Sequence, residues 1–264
     1  MNILWIGGNH PRHLYYINKI QEKFPIAGSV IEFRENMLPT PPEGITSIDK
    51  ENFIRHFKNR DLAEKKYFME QAMPDCPILK TSRADLNSKT TVNFIKEINP
   101  DMVLIFGCYL IKEPLYSALP ANTINLHAGL SPRYRGSATL FWPFYFLEPN
   151  YAGATFHYII AEPDAGDIIH QVTPDLEKND GIHDVACKVI IKSAEEMLKL
   201  LDMARHKKLK SFKQKATGKN FLTTDFKPEH LRIIYNIYND DMVKCYLEGK
   251  LKSTTPKLKN QFTS

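Results

Sequence analysis

The chain has 264 residues, of which 43% are hydrophobic and 25% are charged, and this ordinary globular composition excludes an intrinsically disordered protein. Its net charge of +5 allows an anionic substrate but is too small to indicate nucleic-acid binding by itself. The cysteines form no CxxC pair, which argues against a disulfide framework or a zinc site: Cys76, Cys108, Cys187 and Cys245.

The chain carries no sequence feature that indicates export or membrane insertion. The N-terminus lacks a basic stretch followed by a long apolar run, so we expect no signal peptide. No apolar run approaches the ~20 residues that a membrane-spanning helix needs. The expected location is therefore cytoplasmic.

The first residues have the pattern of a βαβ unit. A short apolar run over 2–7 ends in two glycines, and residues 11–24 place apolar side chains at helical spacing. Residues 28–33 then alternate as a second strand. Such units build parallel sheets with helices on their faces, so the pattern predicts an α/β fold.

The middle of the chain continues the alternation of helices and strands. Residues 51–72 are predicted to form a charged surface helix, 74–80 a proline-containing loop or edge segment, and 85–98 a further helix. The continuous apolar run 101–107 is typical of a central parallel strand that is buried on both faces. Residues 123–127 are predicted to be the next strand.

The later part of the catalytic region contains two more strands and one long helix. Residues 138–147 indicate a buried segment that its proline kinks, and 153–160 and 167–173 indicate two strands joined by a tight turn. An apolar stripe near the helical period predicts a helix over 181–204. Asp180 is its predicted N-cap.

The composition changes after residue 205. The run 205–219 is basic and is expected to be a solvated surface, and 228–238 and 240–249 are predicted to be helical. We therefore divide the chain into a catalytic domain (1–205), a small C-terminal α/β subdomain (206–252) and a flexible tail (253–264).

Two polar side chains stand at the end of the strand predicted over 123–127. Asn125 and His127 are two residues apart, so they project from the same face of the strand. Open α/β sheets bind their ligands at this carboxyl end. Further along, Asp164 lies in a Pro/Gly loop that can fold back toward His127. Taken alone, the pair could equally be satisfied polar groups at a strand end.

An amide, an imidazole and a carboxylate together suit attack of an amine on an activated carbonyl. The amide can donate a hydrogen bond to a developing oxyanion. The imidazole can donate a hydrogen bond or move a proton at neutral pH, and the carboxylate can orient it or stabilise its charge. Because no serine or cysteine has a partner that would make it a nucleophile, we favour direct transfer over a covalent intermediate.

The three pieces together resemble the signature of the folate-dependent formyltransferases. These are Asn-Leu-His at 125–127, Leu-Ser-Pro-Arg-Tyr-Arg-Gly at 130–136 and Asp-Ala-Gly at 164–166, in the family's order and spacing. The resemblance covers the segment 1–205. It implies a Rossmann-like, mostly parallel sheet, 10-formyltetrahydrofolate as the formyl donor, and Asn125, His127 and Asp164 as the catalytic residues.

The same resemblance implies where the folate binds. The loop from Phe106 to Ile111 would form the wall of the pterin pocket, and backbone around Ile160 to Glu162 would hydrogen-bond the pterin ring. The implied folate-binding residues are Phe106, Gly107, Cys108, Tyr109, Leu110, Ile111, Ile160, Ala161 and Glu162. One departure is that Gly129 and Ser131 stand where the tRNA-acting and purine-pathway enzymes tend to carry Ser and Leu, so neither subfamily is favoured.

The acceptor is expected to be a nucleotide-linked amino sugar. The loop Gly-Gly-Asn-His-Pro-Arg-His at 7–13 departs from the phosphate loop of the glycinamide ribonucleotide enzyme, and too few residues follow 205 for the β-barrel of the methionyl-tRNA enzyme. That loop, the charged helix and the segment from 218 resemble the sugar N-formyltransferases. This branch serves bacterial surface polysaccharide (O-antigen) synthesis, with dTDP-4-amino-4,6-dideoxyglucose as the best single acceptor and UDP-linked amino sugars as alternatives.

Candidate contacts to the nucleotide sugar come from three places. Asn9, His10 and Arg12 lie where the first strand meets a helix N-terminus, a natural site for a diphosphate. Lys80 lies in a second loop that can reach the same cleft, and Phe221 is a candidate to stack on the base. Nucleic acid, membrane and metal are not expected, and the histidines near Asp164 lack zinc spacing.

Several alternatives stay open at this point. The protein could hydrolyse 10-formyltetrahydrofolate, formylate methionyl-tRNA, or bind a nucleotide sugar or a nucleic acid without catalysis. The aromatic run 141–146 is compatible with either a core or a homodimer interface. The sequence leaves open which amino sugar is used, which carbon bears its amine, and whether the base is thymine or uracil.

Overall fold

The structure is a computed structural model, and it describes residues 1–33, 37–215 and 218–262. Strands and helices alternate along most of this length. In chain order they are β1 (Ile3–Gly8), α1 (Pro11–Gln21), β2 (Ile26–Glu32), α2 (Ser47–Phe68), β3 (Ile78–Thr81), α3 (Lys89–Ile98), β4 (Met102–Phe106), α4 (Leu115–Ala118), β5 (Thr123–His127), β6 (Tyr134–Gly136), α5 (Trp142–Tyr145), β7 (Ala154–Tyr158), β8 (Ile168–Val172), α6 (Ile182–Arg205), β9 (Lys219–Phe221) and α7 (Met242–Leu247).

Seven of these strands form one sheet in the order β3-β2-β1-β4-β5-β7-β8. The first five pair in parallel, whereas β7 runs antiparallel to both β5 and β8. The predicted α/β fold with a mostly parallel sheet is confirmed. The strands β2 and β3 extend the sheet on one side of β1, and the chain then crosses to the other side of β1, where it forms β4. This reversal opens a crevice at the carboxyl ends of β1 and β4, where such sheets bind ligands.

Side chains alternate across β1 and so divide the core between the two faces of the sheet. Ile3 and Trp5 belong to the cluster with α1 and α6, and Leu4 and Ile6 to the cluster with α3 and α4. All four side chains are buried because helices cover both faces. The helices α1, α2 and α6 thus lie opposite α3 and α4.

The C-terminal segment shares a third hydrophobic cluster with the catalytic region. Phe53 of α2, Trp142 of α5 and Val185 of α6 pack there with Leu231 and Met242. The aromatic run is mostly core, since Phe141, Trp142 and Phe144 are buried while Phe146 is half-exposed. Some of the apolar side chains of 219–247 are therefore buried in this cluster with α2 and α6, whereas Leu222, Ile237 and Leu247 are exposed. Its strand β9 pairs in parallel with β6 in a separate two-stranded sheet.

Some helix boundaries differ from the prediction because side-chain caps decide them. The helix predicted over 51–72 is α2, which begins earlier because Thr46 caps it by accepting a hydrogen bond from the backbone of Asp49. The helix α6 begins after Gly181, and the prediction of Asp180 as its N-cap is wrong. Asp180 instead pairs with Lys188 at 2.7 Å.

Two connections and one helix also differ from the prediction. The strands β7 and β8 are joined by a loop over 159–167, not by a tight turn, because this loop carries Asp164 back over the sheet. The helix predicted over 228–238 is a 3₁₀ turn at Pro228–His230 followed by a π-helix at Ile233–Ile237.

The last described residues, which belong to the predicted flexible tail, run along β8. The backbone N–H of Gln171 donates to the carbonyl of Lys259 at 2.8 Å, and the Gln261 amide donates to the carbonyl of Ile169 at 2.8 Å. The ring of Phe262 packs against His170. Residues 263–264 of the predicted tail and 216–217 of the basic run lie outside the described residues. Within the described chain, no helix has the length and apolar character needed to cross a membrane.

Candidate active site

The pairing of β5 with β7 places the predicted amide beside a histidine. Asn125 lies opposite His157 in the ladder, and its Nδ2 donates to Nε2 of that ring at 3.0 Å. The ring Nδ1 faces the carbonyl of Tyr158 at 2.9 Å and must donate to it. In the neutral ring, Nε2 is therefore an acceptor, and one amide hydrogen of Asn125 stays available.

The second predicted side chain, His127, is buried at the carboxyl end of the same strand. Its Nε2 donates to the backbone carbonyl of Tyr134 at 2.8 Å. Its Nδ1 faces Oδ1 of Asp164 at 3.3 Å. The hydrogen bond to Tyr134 fixes the tautomer, so the lone pair of the neutral ring lies on the nitrogen that faces Asp164.

The third predicted residue, Asp164, reaches this point from the loop between β7 and β8. Its backbone has a φ of 52°, a left-handed conformation that Asp tolerates better than most residues. Its Oδ2 accepts a hydrogen bond from the backbone N–H of Gly136 at 3.0 Å, and its Oδ1 also lies 3.5 Å from Nε2 of His157. The loop thus brings all three residues together.

The surroundings of Asp164 and His127 determine the protonation state of each side chain. Burial raises the pKa of Asp164, but His127, His157 and the N–H of Gly136 together outweigh it, so the net pKa is lowered and the carboxylate is ionised. Burial lowers the pKa of His127 below 6.5, and Asp164 and the Tyr134 carbonyl offset this only in part. The free site therefore holds a neutral imidazole beside a carboxylate at neutral pH.

Two residues that the sequence did not single out hold the Asp164 loop in place. Arg135 is buried and its Nη2 donates to the carbonyl of Pro163 at 2.9 Å and to Glu162 at 2.6 Å. The Gln214 amide donates to the carbonyls of Asp164 at 3.0 Å and Gly166 at 2.8 Å. Arg135 lies within the signature loop, which could have drawn attention to it. Gln214 lies in the basic run, and no sequence pattern marks it.

Gly129 leaves room for the catalytic imidazole. A Cβ at this position would lie 2.6 Å from Nε2 of His127, 2.6 Å from Cβ of Thr139 and 2.7 Å from the carbonyl of Tyr134. The close packing around His127 therefore leaves no room for a side chain at position 129, which explains the glycine there.

Asn125, His127 and Asp164 line a cavity of about 850 Å³, a size typical of small-molecule sites. One side of the cavity is the apolar stretch after β4, together with the ring of Tyr109, which Arg83 covers at 3.9 Å. Of the predicted folate-binding residues, Ala161 is not among the described lining residues. The others line the cavity: Phe106, Gly107, Cys108, Tyr109, Leu110, Ile111, Ile160 and Glu162.

The predicted nucleotide-sugar contacts divide into two groups. His10 and Arg12 line the cavity at the start of α1. The described lining residues do not include Asn9, Lys80 or Phe221. The ring of Phe221 is 4% exposed and stacks on Trp142 at 4.5 Å, because the pairing of β9 with β6 turns it into the third cluster. Lys80 is exposed and lies over the ring of Phe33.

The site holds no arrangement that indicates a metal. Among residues 1–33, 37–215 and 218–262, no group of three His, Cys, Asp or Glu side chains is placed to bind a metal ion. Oxygen and nitrogen donors of the trio instead contact each other and the backbone. The arrangement offers a hydrogen-bond donor, a neutral base and an anion around one point of the cavity.

Comparison of the sequence with family models matches residues 54–201, more than half of the chain, to the formyl transferase family. Among curated proteins, the methionyl-tRNA formyltransferase of Bacteroides thetaiotaomicron is 27% identical over 138 residues. The alignment covers 52% of this chain and 41% of that protein, so the chain matches less than half of the length of this relative.

Solved structures with the same fold include enzymes with different acceptors. The phosphoribosylglycinamide formyltransferase of Anaplasma phagocytophilum has a TM-score of 0.58 at 17% identity, covering 84% of this chain and 97% of its own. A formyltransferase of Anoxybacillus kamchatkensis in complex with UDP-4,6-dideoxy-4-formamido-L-AltNAc and tetrahydrofolate has a TM-score of 0.52 at 17% identity, covering 92% and 97%. An N-formyltransferase of Helicobacter canadensis in complex with folinic acid and dTDP-3-aminofucose has a TM-score of 0.55 at 16% identity, covering 96% and 84%.

Proposed function

The chain belongs to the formyl transferase family, and we propose that it transfers the formyl group of 10-formyltetrahydrofolate to the amine of a nucleotide-linked amino sugar. The observation that carries this proposal is that Asn125, His127 and Asp164 line one cavity, where Asp164 lies 3.3 Å from His127 and 3.5 Å from His157, the ring that Asn125 contacts. A donor, a base and an anion at one point are what acyl transfer to an amine requires.

The side of the cavity after β4 suits the pterin ring of a folate. Its wall is apolar and includes Cys108 and Ile111, and the stacked pair of Arg83 and Tyr109 lies at its edge. A flat heterocycle gains both apolar burial and stacking in such a place. The bound tetrahydrofolate and folinic acid of two structural neighbours support this choice of donor.

The choice of a sugar acceptor rests on the sequence resemblance and on the acceptors bound by the same two neighbours, a UDP-linked and a dTDP-linked amino sugar. Our best single acceptor is dTDP-4-amino-4,6-dideoxyglucose, whose formylated product would enter bacterial surface polysaccharide such as O-antigen. Arg12 and His10 are the proposed contacts to the diphosphate. Asn9, Lys80, Phe221, a cytoplasmic location and a homodimer stay predictions.

In the proposed mechanism, the cavity holds a neutral amine against the formyl carbon, and this proximity supplies much of the rate. The free amide hydrogen of Asn125 donates to the oxygen of the formyl group as it becomes negative. The other amide hydrogen stays on His157, which keeps the Asn125 side chain oriented.

His127 acts as the base in this mechanism. Its ring is neutral before reaction because burial lowers its pKa. It takes the proton that the amine loses, at Nδ1, and the resulting imidazolium is stabilised by Asp164 at 3.3 Å. It then returns that proton to the leaving nitrogen of the folate. Asp164 itself stays ionised throughout.

The test is a mass-spectrometric endpoint assay of the full chain with 10-formyltetrahydrofolate. The acceptors are dTDP- and UDP-linked 3-amino and 4-amino sugars, with methionyl-tRNA and a reaction without acceptor as further arms. We expect one amino sugar to gain the mass of one carbonyl group. Folate turnover without acceptor would indicate a hydrolase instead, and formylation of methionyl-tRNA alone would replace the proposed acceptor.

A further inference from the structure

A second set of polar side chains lines the cavity away from the formyl-transfer residues. We call it the polar lobe. It is built from one face of α2, from α6 and from the start of α1, and these helices cover the opposite face of the sheet from the cluster that contains Cys108 and Tyr109. Its members are His10, Arg12, His13, His56, Arg60, Glu64, His183 and Cys187.

Glu64 is the buried anion of the polar lobe. It is 2% exposed, and its Oε1 receives both Nη1 of Arg12 at 2.8 Å and Nε of Arg60 at 3.2 Å. Within the described part of the chain, its Oε2 is buried without a hydrogen-bond partner. A carboxylate oxygen can only accept hydrogen bonds, so this atom requires a donor. Leaving it bare in the interior is costly.

His183 presents a second acceptor in the same lobe. It is 8% exposed, its ring centre lies 4.4 Å from that of His56, and burial lowers its pKa well below 6.5. The neutral ring hydrogen-bonds the backbone of His56, and among the described residues its Nε2 is buried without a partner. Since one ring nitrogen carries the proton as donor to that backbone, Nε2 is a bare acceptor.

The walls around these two acceptors are aromatic. Phe53, Phe57, Phe141 and Phe226 line the cavity next to the histidines, and the His56 ring meets Phe141 at 6.2 Å and Phe226 at 6.1 Å. An aromatic wall with hydrogen-bond acceptors at its base suits a ring that has apolar faces and donor groups at its edge. The two bare acceptors themselves do not suit a phosphate, because a phosphate has no hydrogen to donate to Oε2 of Glu64 or Nε2 of His183.

We propose that Glu64 and His183 select the acceptor by accepting hydrogen bonds from hydroxyl or acetamido N–H groups of its amino sugar. This inference rests on the proposed function, because it assigns the polar lobe to the acceptor of the same transfer. Arg12 and Arg60 both pair with Oε1 of Glu64, so among the described residues Oε2 is left to accept from the sugar. Sugars without a donor at the matching carbon are discriminated against because the buried acceptors then stay bare.

The first test is the steady-state kinetics of Glu64→Gln with the acceptor that the wild-type protein formylates. An amide offers a donor where the substrate needs an acceptor, so KM for the sugar should rise roughly ten- to hundred-fold, the value of a hydrogen bond to a charged group. KM for the folate should stay unchanged. The matched control is Glu196→Gln, since Glu196 is likewise buried, at 6% exposed, and among the described residues its Oε2 has no hydrogen bond, yet Glu196 does not line the cavity.

The second test pairs the variants with deoxy and des-acetyl forms of that sugar. The wild-type protein should bind one such analogue at least roughly ten-fold more weakly than it binds the full sugar. One of the two variants, Glu64→Gln or His183→Phe, should bind that analogue and the full sugar with equal affinity. If Glu64→Gln does not fold, His183→Phe carries the same comparison. A wild-type protein that formylates a sugar while both variants keep its KM would overturn the inference alone. A wild-type protein that formylates and binds no amino sugar would overturn the proposed function and this inference with it.

Discussion

Nδ1 of His127, the last residue of β5, lies 3.3 Å from Oδ1 of Asp164, which belongs to the loop between β7 and β8. Burial keeps the imidazole of His127 neutral before the reaction. When this ring takes up a proton, the imidazolium lies next to the ionised carboxylate of Asp164. This relationship needs no metal ion to stabilise the imidazolium. It depends on a loop conformation that the rest of the chain must hold in place.

Replacing Asp164 with Asn should slow the transfer strongly while keeping the fold. The amide keeps an oxygen that can accept from the backbone N–H of Gly136, but it carries no charge to stabilise the imidazolium of His127. We expect kcat to fall by about two to four orders of magnitude. Single-turnover kinetics measure this, with the melting temperature as the folding control. A kcat close to that of the wild-type protein would contradict the role of Asp164.

The pH dependence of the reaction should report the state of His127. The base must be unprotonated, so kcat/KM should fall as the pH drops through a pKa that burial holds below 6.5. Asp164 raises that pKa, so the acidic limb of Asp164→Asn should move to still lower pH. Initial rates with one acceptor measure both profiles. If the acidic limb of the profile instead reported the protonation of the sugar amine, its midpoint pH would be identical in the wild-type protein and in Asp164→Asn.

The sequence predicts the sheet because the sheet depends on local patterns, whereas the prediction of Asn125, His127 and Asp164 as a site depends also on the resemblance to a family motif. The apolar run that became β4 and the spacing of Asn125 and His127 are readable without tertiary contacts. Gln214 could not be predicted, since its role comes from a contact with a loop that is distant in the chain. Glu64 was hidden for a similar reason, because a glutamate in a charged helix is usually solvated, and only the packing of α2 against α1 and α6 buries it.

Gly129→Ala should reduce activity through displacement of His127. The added methyl group would lie 2.6 Å from Nε2 of that ring and 2.7 Å from the Tyr134 carbonyl that holds it, so the ring or the backbone must move. A shift of this kind in a reacting group should lower kcat roughly a hundred-fold. The measurement is kcat and the folate KM, with Gly44→Ala as the control for backbone strain without a clash, because Gly44 has a φ of 74° but a Cβ there meets nothing within 4 Å. Equal activity of the two variants would count against the close packing.

Gln214→Glu should lower the rate because it removes the donor that clamps the Asp164 loop. The wild-type amide donates to the carbonyls of Asp164 and Gly166, whereas a carboxylate of the same shape would present only acceptors to two carbonyl oxygens. We expect kcat to fall roughly ten- to hundred-fold, in keeping with two lost hydrogen bonds. Amide hydrogen exchange should also accelerate across 159–167.

The hydrogen exchange separates this role from a general loss of stability, since β1 and β4 should keep their protection. Gln214→Ala removes the donor without adding repulsion, so its kcat should lie between those of Gln214→Glu and the wild-type protein. Ser211→Ala is the matched control, because Ser211 contacts Asp167 of the same loop only through a long hydrogen bond of 3.5 Å. If Gln214→Glu retained full kcat, the clamp would be irrelevant to Asp164, and contacts such as those from Arg135 and the backbone N–H of Gly136 would have to hold the loop.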